Sequence, residues 1–165
     1  MLTDHRLRVE EPRGSVDLTD LNPEPSDGSH IARVTVQAIE KHMVKILRAL
    51  DLGHWRVYVA QDKAPEDCLL MIQPTDGRRV AMLYVSEGWA GQSADEKRID
   101  LTHEALHLAH HDQDEHIRRF LNGSGDISDY VKHLVLSQYK TNTERMVDSL
   151  SYVLAPHMPR WKDPK

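Results

Sequence analysis

Apolar and polar positions follow two rhythms along this chain. Between His30 and Leu50, the residues Val34, Ala38, Ile39, Met43, Ile46 and Leu47 recur at intervals of three and four, the spacing of one helical face. Ser29 stands where a helix cap belongs, and Gly53 where a stop belongs. Three strand-like runs follow. Trp55-Arg56-Val57-Tyr58-Val59 alternates, while Cys68–Ile72 and Val80–Val85 are continuous apolar runs joined across a hairpin turn, Thr75-Asp76-Gly77-Arg78. Helical spacing returns at Ala94, where Ser93 and Glu96 form a capping-box pair, and this second helix is expected to reach Asp112. Gly123 and Gly125 mark a loop, and a closing helix, with a candidate break at Thr141-Asn142-Thr143, ends before Pro156.

The predicted fold is therefore α+β: an N-terminal helix, a small antiparallel or mixed sheet, and two further helices. Residues 1–28 carry prolines and glycines among acidic residues without periodicity and read as a flexible arm. The packed domain is expected over residues 29–156, followed by an irregular tail at 157–165.

Composition narrows the function. A chain of 165 residues that is 39% hydrophobic suits one domain with one modest core. The formal net charge of −5 argues against a broad phosphate-binding surface, so no nucleic-acid partner is expected. No run approaches a membrane span, and the charged, proline-containing start lacks a secretory pattern; a cytoplasmic protein without membrane attachment is the expectation. The single Cys68 rules out a multi-cysteine metal site and reads as a small buried residue in its apolar run. Eleven histidines are many for this length.

The second helix carries His103-Glu104-Ala105-Leu106-His107. Residues four apart on a helix lie about 40° apart around its axis, so His103 and His107 can aim both imidazoles at one metal ion. Glu104 sits on their flank, placed to take a proton from a metal-activated water instead of binding the metal. Ile99, Leu101, Ala105, Leu106, Leu108 and Ala109 occupy the remaining arc and are expected to bury the helix back.

Two histidines fill half of a tetrahedral site. Gln113 occupies the position where an extended motif would place a third histidine. His110 and His111 are better suited to helix-end or supporting roles than to ligation, and Asp126, Asp129 and His133 lie in or after a loop of uncertain reach. On the closing helix, Val147, Leu150, Ser151 and Leu154 form an expected buried stripe, with Glu144 and Asp148 one turn apart on its flank. Carboxylates seldom border a core without a partner. Glu144 as third ligand and Asp148 as acceptor from a ligand imidazole would satisfy both; the plainer alternative is an ordinary surface Glu and Asp. Tyr152, one turn beyond Asp148, is a candidate donor to the transition state or simply a packed aromatic.

The segment Ile99–Asp112 resembles the active-site helix of zincin metallopeptidases, in particular the IrrE/ImmA-type HExxH group, where a His-His pair often follows the motif. Glu144, Asp148 and the apolar run to Pro156 are similar to that group's third-ligand helix and to gluzincins generally. The connection between the two site helices is longer here, and Leu106 stands where the family carries a small residue. The resemblance implies a Zn2+ cofactor, a helix–sheet–helix core and hydrolysis of peptide bonds. The substrate would be a peptide or protein, within a restricted regulatory set. A zinc hydrolase of a non-peptide bond and a catalytically silent zinc-binding interaction domain remain the alternatives, and the oligomeric state is not encoded in any pattern. A peptide substrate is expected to add to an exposed sheet edge, for which Val80–Val85 is the candidate, with Trp89 either a rim contact or a plug between helix and sheet.

Overall fold

The computed structural model describes residue 31 and residues 33–75 and 77–164. The expected arm, the Ser29 cap and Asp76 of the hairpin turn lie outside the described residues. Among the described residues the architecture is α+β as expected, with three helices and a three-stranded mixed sheet.

Helix α1 spans Arg33–Ala49 and buries Ile39, Met43, Ile46 and Leu47. It ends within one residue of the expected Leu50, before Gly53. Asp51 takes the left-handed conformation (φ 59°), and the Leu52 and Asp51 amides donate to the carbonyls of Leu47 and Arg48 over 2.7 and 3.3 Å. This pair of bonds usually calls for glycine, but a short polar side chain tolerates the conformation.

Strands β1 (Arg56–Val59), β2 (Leu70–Pro74) and β3 (Val80–Val85) lie in the order β1-β3-β2, with β1 parallel and β2 antiparallel to β3. The expectation that β3 offers an edge is overturned, because it is paired on both sides. Among the described residues the edges are β1 and β2. Inward residues Ala81, Leu83 and Val85 of β3 are buried, as period-two geometry requires. Pro74 fits β2 because the ladder there uses the amides of alternate residues: Thr75 donates to Val80, and Ser86 to Leu69. Gly77, at φ 67°, supplies the left-handed residue of the β2–β3 turn. Cys68 precedes β2 and is half-buried at a turn, its thiol directed to the Pro65 carbonyl, and not in the core.

Helix α2 spans Ala94–Gly123, longer than the expected end at Asp112, and α3 spans Asp129–Leu154, following the glycine loop and ending before Pro156 as expected. The Ser93–Glu96 capping box forms in full, a feature worth about 1 kcal/mol. Past Asp112 the sequence contains no breaker before Gly123, and Leu121 finds a buried position. The supposed break at Thr141–Thr143 is absent. Thr141 donates to the Ser137 carbonyl, Gln138 bonds Asn142, and Thr143 is buried, so each polar group is satisfied on the helix. A five-residue connection and the pairings His107 with Glu144 and Asp114 with Tyr139 make α2 and α3 an antiparallel hairpin.

The core joins α1, the sheet, and Leu101, Ala105 and Leu108 of α2. Trp89, 1% exposed, plugs the junction between sheet and α2 and is not a rim residue. The tail has no helix after the turn at Ala155–His157, yet it is pinned. Trp161 is 3% exposed and meets Trp89 and His42 edge-on at 5.3 and 5.2 Å. Buried Lys97 lies against the Trp89 and Trp161 rings and pairs with Asp163 at 2.9 Å. Trp161 Nε1 donates to the same carboxylate at 2.8 Å.

Candidate metal centre

His103 and His107 project from one side of α2 toward α3, while Leu101, Ala105 and Leu108 hold the opposite side in the core. Ala109 is exposed and Ile99 only half-buried, so the buried arc is narrower than expected there. On α3 the stripe facing α2 is Thr143, Val147 and Ser151; Leu150, expected in that stripe, is 37% exposed. Glu144 stands beside this stripe and Asp148 one turn on.

The four side chains converge. His103 Nε2 and His107 Nε2 are 3.0 Å apart, and Glu144 Oε2 lies 3.8 and 3.5 Å from them. Ligands held about 2.0–2.1 Å from a tetrahedral ion lie roughly 3.3 Å from one another, so the three separations bracket that value. His103, His107 and Glu144 therefore form a group that could hold a metal ion. His103 Nδ1 is 3.1 Å from Asp148 Oδ1. A proton carried on Nδ1 is donated to that carboxylate, which leaves the Nε2 lone pair directed at the centre of the group.

Glu104 is 6% exposed, more enclosed than a position on the cleft wall would make it. Its Oε2 accepts from the Ile72 amide at 2.7 Å, a β2 group that points away from β3. Glu40 does the same for the outward amide of Val59 on the other edge, at 3.1 Å. Burial pushes the Glu104 carboxyl up to about 8; the Ile72 hydrogen bond opposes this, and the neighbouring Glu144 and Asp100 carboxylates add to it. Burial also lowers His107, against the pull of Glu144. This keeps the imidazole neutral, as a ligand must be.

Other expected residues fall elsewhere. His110 is half-buried near His107, and His111 packs edge-on against Trp55 at 5.3 Å; since α2 continues to Gly123, neither is at a helix end. Asp126 is exposed, Asp129 opens α3 and pairs with Lys132, and neither belongs to the metal group. Tyr152 is 66% exposed, so it is not a packed aromatic.

The sequence reading missed two features. Asp100 lies one turn before Glu104, with its carboxyl pushed up by burial against the lowering effect of Gln92 and Trp89. Tyr139 donates to Asp114 at 2.7 Å inside a cavity of about 460 Å3 that His107 and Glu144 also line. Extending the helical stripe outward from the motif would have found both, since Asp100 and Asp114 lie three residues before His103 and seven after His107.

An α+β domain with a two-histidine, one-carboxylate group between antiparallel helices is thus the class that fold and site define. No family model, curated protein or solved structure matches the chain in comparison.

Proposed function

We propose that this protein is a zinc metallopeptidase of the zincin type, acting in the cytoplasm on a restricted set of protein substrates. The observation that carries this reading is the spacing of His103 Nε2, His107 Nε2 and Glu144 Oε2, at 3.0, 3.5 and 3.8 Å, with the enclosed Glu104 beside them. The donor set favours zinc, which takes nitrogen and carboxylate ligands in tetrahedral sites and leaves the fourth position open in catalytic ones.

Zinc held there would bring its water's pKa to near 7 and stabilise the oxyanion that develops on the substrate carbonyl. The protein's own groups do the rest. His103, His107 and Glu144 hold the ion, and Asp148 orients His103. Glu104 takes a proton from the attacking water and passes it to the departing amine. Its bond to the Ile72 amide fixes the carboxylate between β2 and the metal group. The substrate backbone adds along β2, the edge strand beside α2, through the outward carbonyls and the Leu70 amide, since the Ile72 amide is taken by Glu104 and Pro74 has none. Tyr152 remains a candidate donor to the transition state.

The test measures zinc content and peptidase activity together. Wild type should bind one zinc per chain and cleave a fluorogenic peptide library, and His107→Ala and Glu144→Ala should lose the metal. Glu104→Gln should keep the metal and lose at least ~100-fold in turnover, the loss expected for a general base. A fully active Gln variant would sink the mechanism.

A further inference from the structure

We infer that the groove leading from the metal group along the α2–α3 hairpin selects substrate segments bearing a carboxylate, held by Lys140 and Arg118. This rests on the metallopeptidase reading and deepens it by naming a substrate class. The cavity of about 460 Å3 is lined by His107 and Glu144 at one end, so its occupant abuts the reacting centre. Along it stand Arg118, His133 and Lys140, with Asp114 as the opposing carboxylate.

Neither Arg118 nor Lys140 has an ion-pair partner among the described residues. In the second cavity, of about 380 Å3, two of the three lining arginines, Arg78, Arg79 and Arg119, are paired. There Arg79 is paired with Asp112 at 2.7 Å, and Arg119 with Glu115. Within the first cavity, Asp114 accepts the Tyr139 hydroxyl at 2.7 Å and cancels one of the two cations. Glu144 is committed to the metal group, and a divalent ion there more than offsets its charge. With a divalent ion held at Glu144 the groove would be net positive, in a chain whose formal net charge is −5; without it Asp114 and Glu144 balance Arg118 and Lys140. Its Ser137 hydroxyl can add a hydrogen bond to the bound segment.

The helical rise sets the register. Lys140 is one turn from Glu144, about 6 Å along α3, and Arg118 is about 16 Å along α2 from His107. An extended peptide advances about 3.3 Å per residue, so the carboxylate falls roughly two to five residues from the cleaved bond. A glutamate or aspartate side chain and a chain-terminal carboxylate both meet this requirement.

Three hydroxamate probes separate these sources: succinyl hydroxamates ending in Leu-Gln-Ala amide, Leu-Glu-Ala amide, and Leu-Gln-Ala with a free carboxylate. Each is titrated by calorimetry into the zinc-loaded full chain at low salt. At least one acidic probe should bind about tenfold tighter than the neutral one, the effect of two exposed ion pairs. Which acidic probe gains identifies the carboxylate source. The acidic-to-neutral ratio should fall to about threefold in Lys140→Gln or Arg118→Gln and to unity in the double variant. Equal binding of all three probes to wild type, or a ratio that survives in the double variant, overturns the proposal while leaving the metal centre standing. Failure of every probe, together with no zinc uptake, would instead mean that the metal reading itself is wrong.

Discussion

Replacing Asp148 with Asn tests the link between α3 and His103 while leaving the ligands themselves in place. The carboxylate stands 3.1 Å from His103 Nδ1 and is 62% exposed. The Asn carbonyl can still accept the imidazole proton, but the charge that raises the ligand's basicity is gone. Removing such a partner costs about 10- to 100-fold in metal affinity, and solvent access at Asp148 places the expected loss near the lower end, about tenfold. Linkage turns this into a stability difference. At a free zinc concentration 100 times the wild-type Kd, the ion adds about 2.7 kcal/mol; a tenfold weaker site gains only about 1.4 kcal/mol at the same concentration. For a domain of this size the zinc-induced rise in Tm should fall from about 8 °C to about 4 °C. Metal-free stability should shift by no more than about 0.5 kcal/mol, because an exposed pair contributes little by itself. Zinc competition titration and thermal melts with and without metal provide the readout. If Asp148→Asn leaves zinc affinity unchanged, the carboxylate does not support His103; if it lowers the metal-free and zinc-bound melts equally, its role is in the fold.

The pinned tail gives two further expectations. Trp161→Ala removes a side chain that is 3% exposed, and should cost about 3–5 kcal/mol in urea unfolding; a cost below ~1 kcal/mol would mean that the tail is not part of the core. The Asp163 carboxyl is held below its usual range by the Trp161 indole and Lys97. A depressed folded pKa gives stability that is present above the unfolded value and lost as pH falls through the folded one. Stability should therefore decline in the acid limb below about pH 4, and Asp163→Asn should flatten that limb; an unchanged slope would show that Asp163 does not contribute.

The local devices were legible where they depend only on spacing. His103 and His107 share a face because they are four apart, Ser93 and Glu96 cap a helix because they are three apart, and Glu144 and Asp148 stand out as carboxylates flanking an apolar stripe. Sheet order was not legible, because the pattern of Val80–Val85 describes two faces of a strand and says nothing about how many neighbours it has. Helix length failed for a related reason. The polar stretch beyond Asp112 gains its support from α3, and Thr143 is helical because its other side meets α2. Trp161, alone among Pro, Arg and Lys, carries no periodic signal, and its burial depends on Trp89 and Lys97 from distant parts of the chain. The Ile72 bond to Glu104 is likewise tertiary, since a backbone amide has no signature in sequence.

One electrostatic consequence ties these elements together. Asp100, Glu104, Glu144 and Asp148 gather around two imidazoles, and among the described residues no Lys or Arg pairs with any of them. Asp100 and Glu104 are both driven toward the neutral form by burial, and Glu144 drives Glu104 further the same way. Such a group is costly by itself, since like charges in a partly dry site raise one another's pKa. The fold nevertheless builds it between two helices, with the far side of α2 fixed in the core by Leu101, Ala105 and Leu108 and the facing side of α3 packed through Val147, so the helix backbones hold these groups near one another. A divalent cation held by His103, His107 and Glu144 would oppose these effects by adding an attraction to each carboxylate. It would stabilise the Glu144 anion directly and favour ionised Glu104, the form that the proposed mechanism needs. The raised carboxyl pKa values and the proposed affinity for a cation would therefore share one physical origin, a set of acidic groups gathered with no Lys or Arg paired to them among the described residues.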